Sequence, residues 1–222
     1  MLDIKSIENA KHILLKTDNK SFANASALYS YLMTLHKKVT LFSSDVLPYK
    51  FSFLPWYEKC KSSIPASADL VVEVSEDSLS YYSFLQSRAV KINVKMATAL
   101  YAGILLRYNN FSSQKVDGMV FASASELITA GAKYQEAQKY IVNWNSLALF
   151  RLKARVLSSM MLKENATHAE LFVCNDDLAF SGASLEDAQL IADEVLSIAH
   201  VQSVSVFKSD EEMKTIYTIR GE

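Results

Sequence analysis

Four histidines and two cysteines are the first side chains to weigh for chemistry. His12, His36, His168 and His200 are scattered, and Cys60 and Cys174 fall in opposite halves of the chain. A zinc site is usually announced by paired ligands a few residues apart, and no such pair occurs here. The glycines Gly103, Gly118, Gly131, Gly182 and Gly221 are all isolated, so no glycine-rich phosphate loop is written into the chain. Serine is abundant, but no Gly-x-Ser-x-Gly elbow presents one as a nucleophile. What remains is Asp18 with Lys20, just after the first apolar run, which can hold a small anion or each other. Glu73 lies within a later apolar run, Glu76 and Asp77 lie just beyond it, and Asp176–Asp177 reads as a turn.

These residues need elements to position them. Residues 3–11 read as a short helix, His12–Lys16 as a first strand, Ala27, Tyr31 and Leu35 as one stripe of a long helix, and Val39–Phe42 as a second strand. Strand, helix, strand argues for a parallel sheet. Pro48, Pro55 and Pro65 divide the next stretch, with Trp56–Lys61 as one or two helical turns. The β-branched run Asp69–Val74 predicts a buried strand. A weak helix over Ser75–Leu85 with Ser75 as its N-cap follows, then a strand over Val90–Val94. From Ala97 the spacing is helical, and Asp117–Ala130 and Lys133–Trp144 read as helices joined at Gly131. Ser146–Lys163 continues as a basic helical segment. The rest reads as strand 169–174, turn 176–182, helix 185–199, and a hairpin of strands 201–207 and 214–219. In an open sheet of this kind, ligands gather beyond the carboxyl ends of the strands.

The charge is uneven. Of the 222 residues, 23 are basic and 24 acidic, a net −1. Residues 1–95 and 96–163 are net positive, by +3 and +5, and residues 164–222 are net −9. The neutral total and the acidic last third argue against long nucleic acid as a partner. No apolar run is long enough to span a membrane, and two cysteines with no secretory segment ahead of the first charges predict a reduced, cytoplasmic chain.

The chain resembles the DHH phosphoesterase family, in its bacterial branch that hydrolyses small oligonucleotides and nucleoside phosphates. The likeness runs through HILLKTDNKSFANASALYSYLMTLHKKVTLFS, DLVVEVS, INVKMA, ALYAGILLRYNNFSS and FRLKARVLSSMML. It implies an α/β fold with a Rossmann-like, mainly parallel sheet domain over 1–145. A helical connector at 146–163 and a smaller, truncated α/β domain at 164–222 would follow. Active members of the family hold two manganese-like ions between their domains.

The metal motifs of that family are nearly absent. His-x-Asn-Pro-Asp-x-Asp matches Leu14 to Lys20, so Leu14 stands for the histidine, Lys16 for the asparagine and Lys20 for the last aspartate, leaving Asp18 as the residual motif position. Ser75 stands where an aspartate follows the third strand, and Lys95, Met96 and Ala97 stand for Asp-His-His. Arg107 replaces the aspartate of Asp-Thr-Gly-x-Phe, some residues before the ALYAGI-like helix are missing, and the chain stops before the phosphate-contacting Gly-Gly-Gly-His segment. Two close divalent ions need anionic or imidazole ligands, and three positions are now cationic.

The expectation is a non-catalytic relative acting through protein contacts or self-association, with no catalytic residue, no metal ligand and no cofactor. An alternative is a metal-free nucleotide or phosphate module using Lys20, Lys95 and Arg107. A third is a divergent phosphoesterase that would use Asp18, Glu76 and Asp77 with manganese or another divalent cation.

Overall fold

The computed structural model describes residues 4–65, 67–142, 145–208 and 214–220. The chain divides into two compact units, Met1–Trp144 and Asn145–Glu222.

In the first unit, α1 (Ile4–Asn9) leads into β1 (His12–Thr17), followed by α2 (Phe22–Thr34) and β2 (Lys38–Ser43). Two 3₁₀ turns, Tyr49–Phe51 and Tyr57–Lys59, precede the two-residue β3 (Cys60–Lys61), and β4 (Leu70–Glu73) completes the sheet. Its order is β3-β2-β1-β4, all parallel, with Ile13 opposite both Val39 and Leu70. The βαβ expectation therefore holds, and the sheet has β1 near its centre. Ile13, Leu14 and Leu15 of that strand are fully buried, each contributing about 1.5–3 kcal/mol.

Helices α3 (Ser78–Ser87), α4 (Val94–Arg107), α5 (Gly118–Thr129) and α6 (Tyr134–Ala137) follow, the last running into a single π turn at Gln138–Val142. Both α2 and α4 are buried on nearly every side. Ala23, Ala25 and Ala27 in one and Ala99, Ala102 and Gly103 in the other keep the two helices thin enough to pack closely.

Several local expectations are corrected. The run 69–74 forms an edge strand rather than a buried one, because no strand lies beyond it among the described residues, and Val71 is 48% exposed. The strand expected over Val90–Val94 is absent. The Val90 N–H turns back to Leu85 O (3.1 Å), and the Asn93 side chain accepts the Met96 N–H (3.0 Å), so this segment ends one helix and starts the next. Asp77, not Ser75, caps α3, since its carboxylate accepts the Ser80 N–H and hydroxyl. The helix expected over 133–144 is present without a break over 134–142, as α-helix and then a π turn, and residues 143–144 lie outside the described residues.

The second unit opens with α7 (Leu147–Ser158), whose Leu149, Leu152 and Val156 join that unit's own core. Then come β5 (Met161–Lys163), β6 (His168–Val173), α8 (Asn175–Ser181), α9 (Asp187–Val195), β7 (Ser203–Lys208) and β8 (Lys214–Arg220). The sheet order is β5-β6-β7-β8, parallel between β6 and β7 and antiparallel at both edges. The expected turn at 176–182 is a short helix, because Asp177 and Cys174 form a reciprocal cap at its start. The expected hairpin forms, although its connecting turn lies outside the described residues.

Candidate functional site

The chain passes from β1 to β2 and β3 on one side and then returns to place β4 on the other side of β1, so the carboxyl ends of β1 and β4 flank the switch point of the sheet. Asp18 sits there in a closed loop. One carboxylate oxygen accepts the Ser21 hydroxyl (2.7 Å), the Ser21 N–H (2.8 Å) and the Lys20 N–H (3.0 Å). Thr17 closes the loop from below through Ser21 Oγ (2.9 Å), and the Phe22 N–H reaches Asp18 O (3.0 Å) as α2 begins. Partial burial pushes the Asp18 carboxyl up, but the Ser21 and Lys20 hydrogen bonds outweigh it and hold the group below its ordinary value. Lys20 itself is exposed.

A buried polar node ties this loop to the one after β4. The Asn24 amide donates to Ser75 O (2.9 Å) and accepts from the Ser78 hydroxyl (2.8 Å), while the Ser75 N–H donates to Tyr81 Oη (2.9 Å). Gly103 of α4 faces the node, where a Cβ would collide with Ser78 Oγ and stand 2.7 Å from Asn24 Oδ1. Sequence reasoning missed this arrangement. Its signal is the placement of Asn24 and Gly103, both poor helix formers, inside otherwise good helices.

One turn beyond Gly103, Arg107 pairs with Glu76. Asp77 is engaged as the α3 cap, and Lys16 pairs with Glu73 at 2.9 Å. Leu14 is buried within β1. Lys95 stands near the other end of α4, about 18 Å from Arg107 along the axis by helical rise, with its ammonium 4.4 Å from the Trp56 ring. Asp18 and Ser75 thus follow neighbouring strands, the Arg107–Glu76 pair lies next to Ser75 in sequence through Glu76, and Lys95 lies at the opposite end of α4 from Arg107.

The acidic side chains at these strand ends are engaged within their own chain. Asp18, Glu76 and Asp77 each serve a hydrogen bond or ion pair of their own chain, and Leu14 offers no donor atom. Among the described residues no group of three or more His, Cys, Asp or Glu side chains converges as a metal ligand set.

No family model matches the chain, and no curated protein matches it. Among solved structures, the chain is similar to an exopolyphosphatase-related protein from Bacteroides fragilis. The match has a TM-score of 0.75 at 15% identity and covers 94% of this chain and 79% of that one. That likeness establishes the fold: a parallel-sheet α/β unit followed by a smaller mixed-sheet unit, as the DHH resemblance implies.

Proposed function

We propose that this chain is a non-catalytic relative of the DHH phosphoesterases that acts through protein contacts, in a reducing compartment such as the cytoplasm. One observation carries the reading. At the switch point of the sheet, each acidic side chain that could bind a cation is engaged by a neighbour in its own chain, Asp18 by Ser21 and Lys20, Glu76 by Arg107, and Asp77 by Ser80. Asp18 Oδ1, Glu76 Oε1 and both Asp77 oxygens are already engaged, and the nearby Lys20 adds positive charge that opposes cation binding. The likeness to an exopolyphosphatase-related protein supports descent from phosphate-handling enzymes, and the ligand substitutions support loss of that chemistry.

The test is an assay of purified protein with manganese against dinucleotides, phosphorylated adenosine nucleotides, polyphosphate and a generic phosphodiester. No turnover is expected. Turnover that disappears in Asp18→Asn overturns the proposal in favour of a divergent hydrolase. Calorimetry with the same nucleotides in chelator forms the second arm, and heat of binding lost in Arg107→Ala and Lys20→Ala overturns it in favour of an anion-binding module.

A further inference from the structure

Helices α2 and α3 run from the carboxyl ends of β1 and β4 back to the amino ends of the sheet, where α4 starts. Leu35, Arg88 and Asn93 therefore meet at the end of the sheet opposite Asp18, and a cavity of about 630 Å³ lies among them. That size is usual for a small-molecule site. Leu35 and Val90 give it apolar walls, and Tyr31, Arg88, Lys91 and Asn93 supply polar groups.

Tyr31 is only 7% exposed, yet its hydroxyl has no hydrogen-bond partner among the described residues. A hydroxyl so enclosed is ordinarily paired. The nearby Thr34 hydroxyl donates to the Tyr31 carbonyl instead (2.6 Å). The Tyr31 ring meets Phe84 edge-on with centroids 6.0 Å apart, and the Arg88 guanidinium stands 5.9 Å from the same Phe84 ring, which holds the cation beside the phenol. Burial pushes the phenol above its ordinary value, with the Arg88 charge pulling it down and the weaker Glu8 influence raising it, so the hydroxyl remains a donor at neutral pH.

Neither Arg88 nor Lys91 has an ion-pair partner among the described residues. The Asn93 cap takes the Met96 N–H and leaves those of Val94 and Lys95, the first two of α4, to face outward. The carboxyl-terminal ends of α2 and α3 reach the same place, each carrying about half a negative charge, which two full positive charges outweigh. A small positive excess of this kind suits one negative charge better than two.

We propose that this cavity binds a small organic carboxylate, its oxygens held by the Tyr31 hydroxyl and the Arg88 guanidinium and its apolar body against Leu35 and Val90. Lys91 and the start of α4 add attraction from the rim. The site goes beyond the protein-contact reading and does not depend on it, because it lies at the other end of the sheet from Asp18.

Calorimetry of the full chain in chelator, with benzoate and with hexanoate, should show one saturable site with a Kd at or below about 1 mM. Benzyl alcohol, which lacks the charge, and inorganic phosphate, which lacks the apolar body, should each bind about tenfold or more weakly. Tyr31→Phe should weaken carboxylate binding about tenfold and leave the unfolding midpoint unchanged, since the hydroxyl it removes bonds to no described part of the fold. Arg88→Gln, at an exposed side chain, should weaken it by about tenfold or more, and Lys20→Ala, at the opposite end of the sheet, should change nothing. No saturable binding of either carboxylate at millimolar concentration, or binding indifferent to Tyr31→Phe or Arg88→Gln, would overturn the proposal. Phosphate binding as tightly as benzoate, or a midpoint lowered by Tyr31→Phe, would do the same. Binding lost in Lys20→Ala instead would move the anion to the Asp18 loop and overturn it as well.

Discussion

The two units bury their helices in different ways. In the first, α2 and α4 have almost no wet face, and the polar side chains caught inside are all paired. Ser26 donates to Pro55 O (2.6 Å), Ser30 to Ser26 O (3.0 Å), Trp56 Nε1 to Ser30 Oγ (2.8 Å), and Thr98 accepts the Lys133 N–H (3.0 Å). In the second, α7 and α9 each bury a single stripe, and charges on α7 pair outside it, Lys153 with Glu194 of α9 and Arg155 with Asp177 of α8. A helix with a wet face needs only apolar residues on the dry one. A helix enclosed on all sides needs small residues for clearance and a partner for every polar atom, because an unpaired buried group costs about 1–3 kcal/mol.

That difference is broken most directly at Gly103. Gly103→Val drives two methyl groups into Ser78 and Asn24, and the steric and hydrogen-bonding losses together should cost about 2–5 kcal/mol. Gly118→Ala, whose Cβ meets nothing within 4 Å, should instead gain up to about 1 kcal/mol. Both tryptophans lie in the first unit's span, so fluorescence-detected denaturant unfolding reports on that unit. Asn24→Ala should come next, at about 1–3 kcal/mol, since it strands Ser75 O and the Ser78 hydroxyl together. Equal effects of Gly103→Val and Gly118→Ala would show that the node is not what holds α2 against α4.

The same contrast explains what could be read from the chain. Helices α7 and α9 were legible from spacing alone, because Leu149, Leu152 and Val156, or Ile191 and Val195, repeat on one side. The segment expected to stay helical through Lys163, however, ends at Ser158, and Met161–Lys163 forms β5. The strands β1 and β2 were legible as apolar runs around a helix. The site was not. Motif matching put Lys20, Lys95 and Arg107 on common ground, but motif order carries no distances, and Lys95 belongs to the opposite end of α4 from Arg107. Glu76 neutralises Arg107 through a contact across thirty-one positions, and Asn24 reaches Ser75 across fifty-one, separations that no local pattern encodes. The absent strand over Val90–Val94 was misread because its β-branched residues suit a strand, while the Asn93 cap for α4 carries no periodicity.

Acid should separate the units next. Asp18 and Asp69 in the first unit, and Asp177 in the second, all have carboxyls held below their ordinary value. The Asp18 and Asp177 shifts oppose burial, Asp18 through Ser21 and Lys20 and Asp177 through Arg155 and Cys174, whereas Asp69 is lowered chiefly by the His12 and Lys11 N–H groups. A folded-state value below the unfolded one favours the ionised fold. Its stabilisation is complete above the ordinary carboxyl range and is lost as pH falls through the depressed value. Asp193 runs the other way. Burial raises its carboxyl, so its cost is present at neutral pH and relieved on acidification. The first unit should therefore lose stability more steeply below the ordinary carboxyl range. Asp18→Asn should flatten that limb in fluorescence-detected unfolding, and Asp193→Asn should steepen the second unit's limb, followed by circular dichroism. Matching slopes in the two parent units would sink the comparison.

The smallest effects belong to the exposed ion pairs. Arg107→Ala and Lys153→Ala each remove one partner of a pair that solvent already screens, Arg107 being 36% and Lys153 27% exposed. Each should cost at most about 1 kcal/mol and less in high salt. Here the two units should behave alike, which sharpens the contrast at Gly103, because a salt-insensitive loss well above 1 kcal/mol from Arg107→Ala would make that side chain part of the buried scaffold rather than its rim. Such a result would also remove Arg107→Ala as a clean probe of anion binding. Lys20→Ala, at an exposed position where only the backbone N–H is engaged, would then be the substitution that separates lost affinity from lost structure.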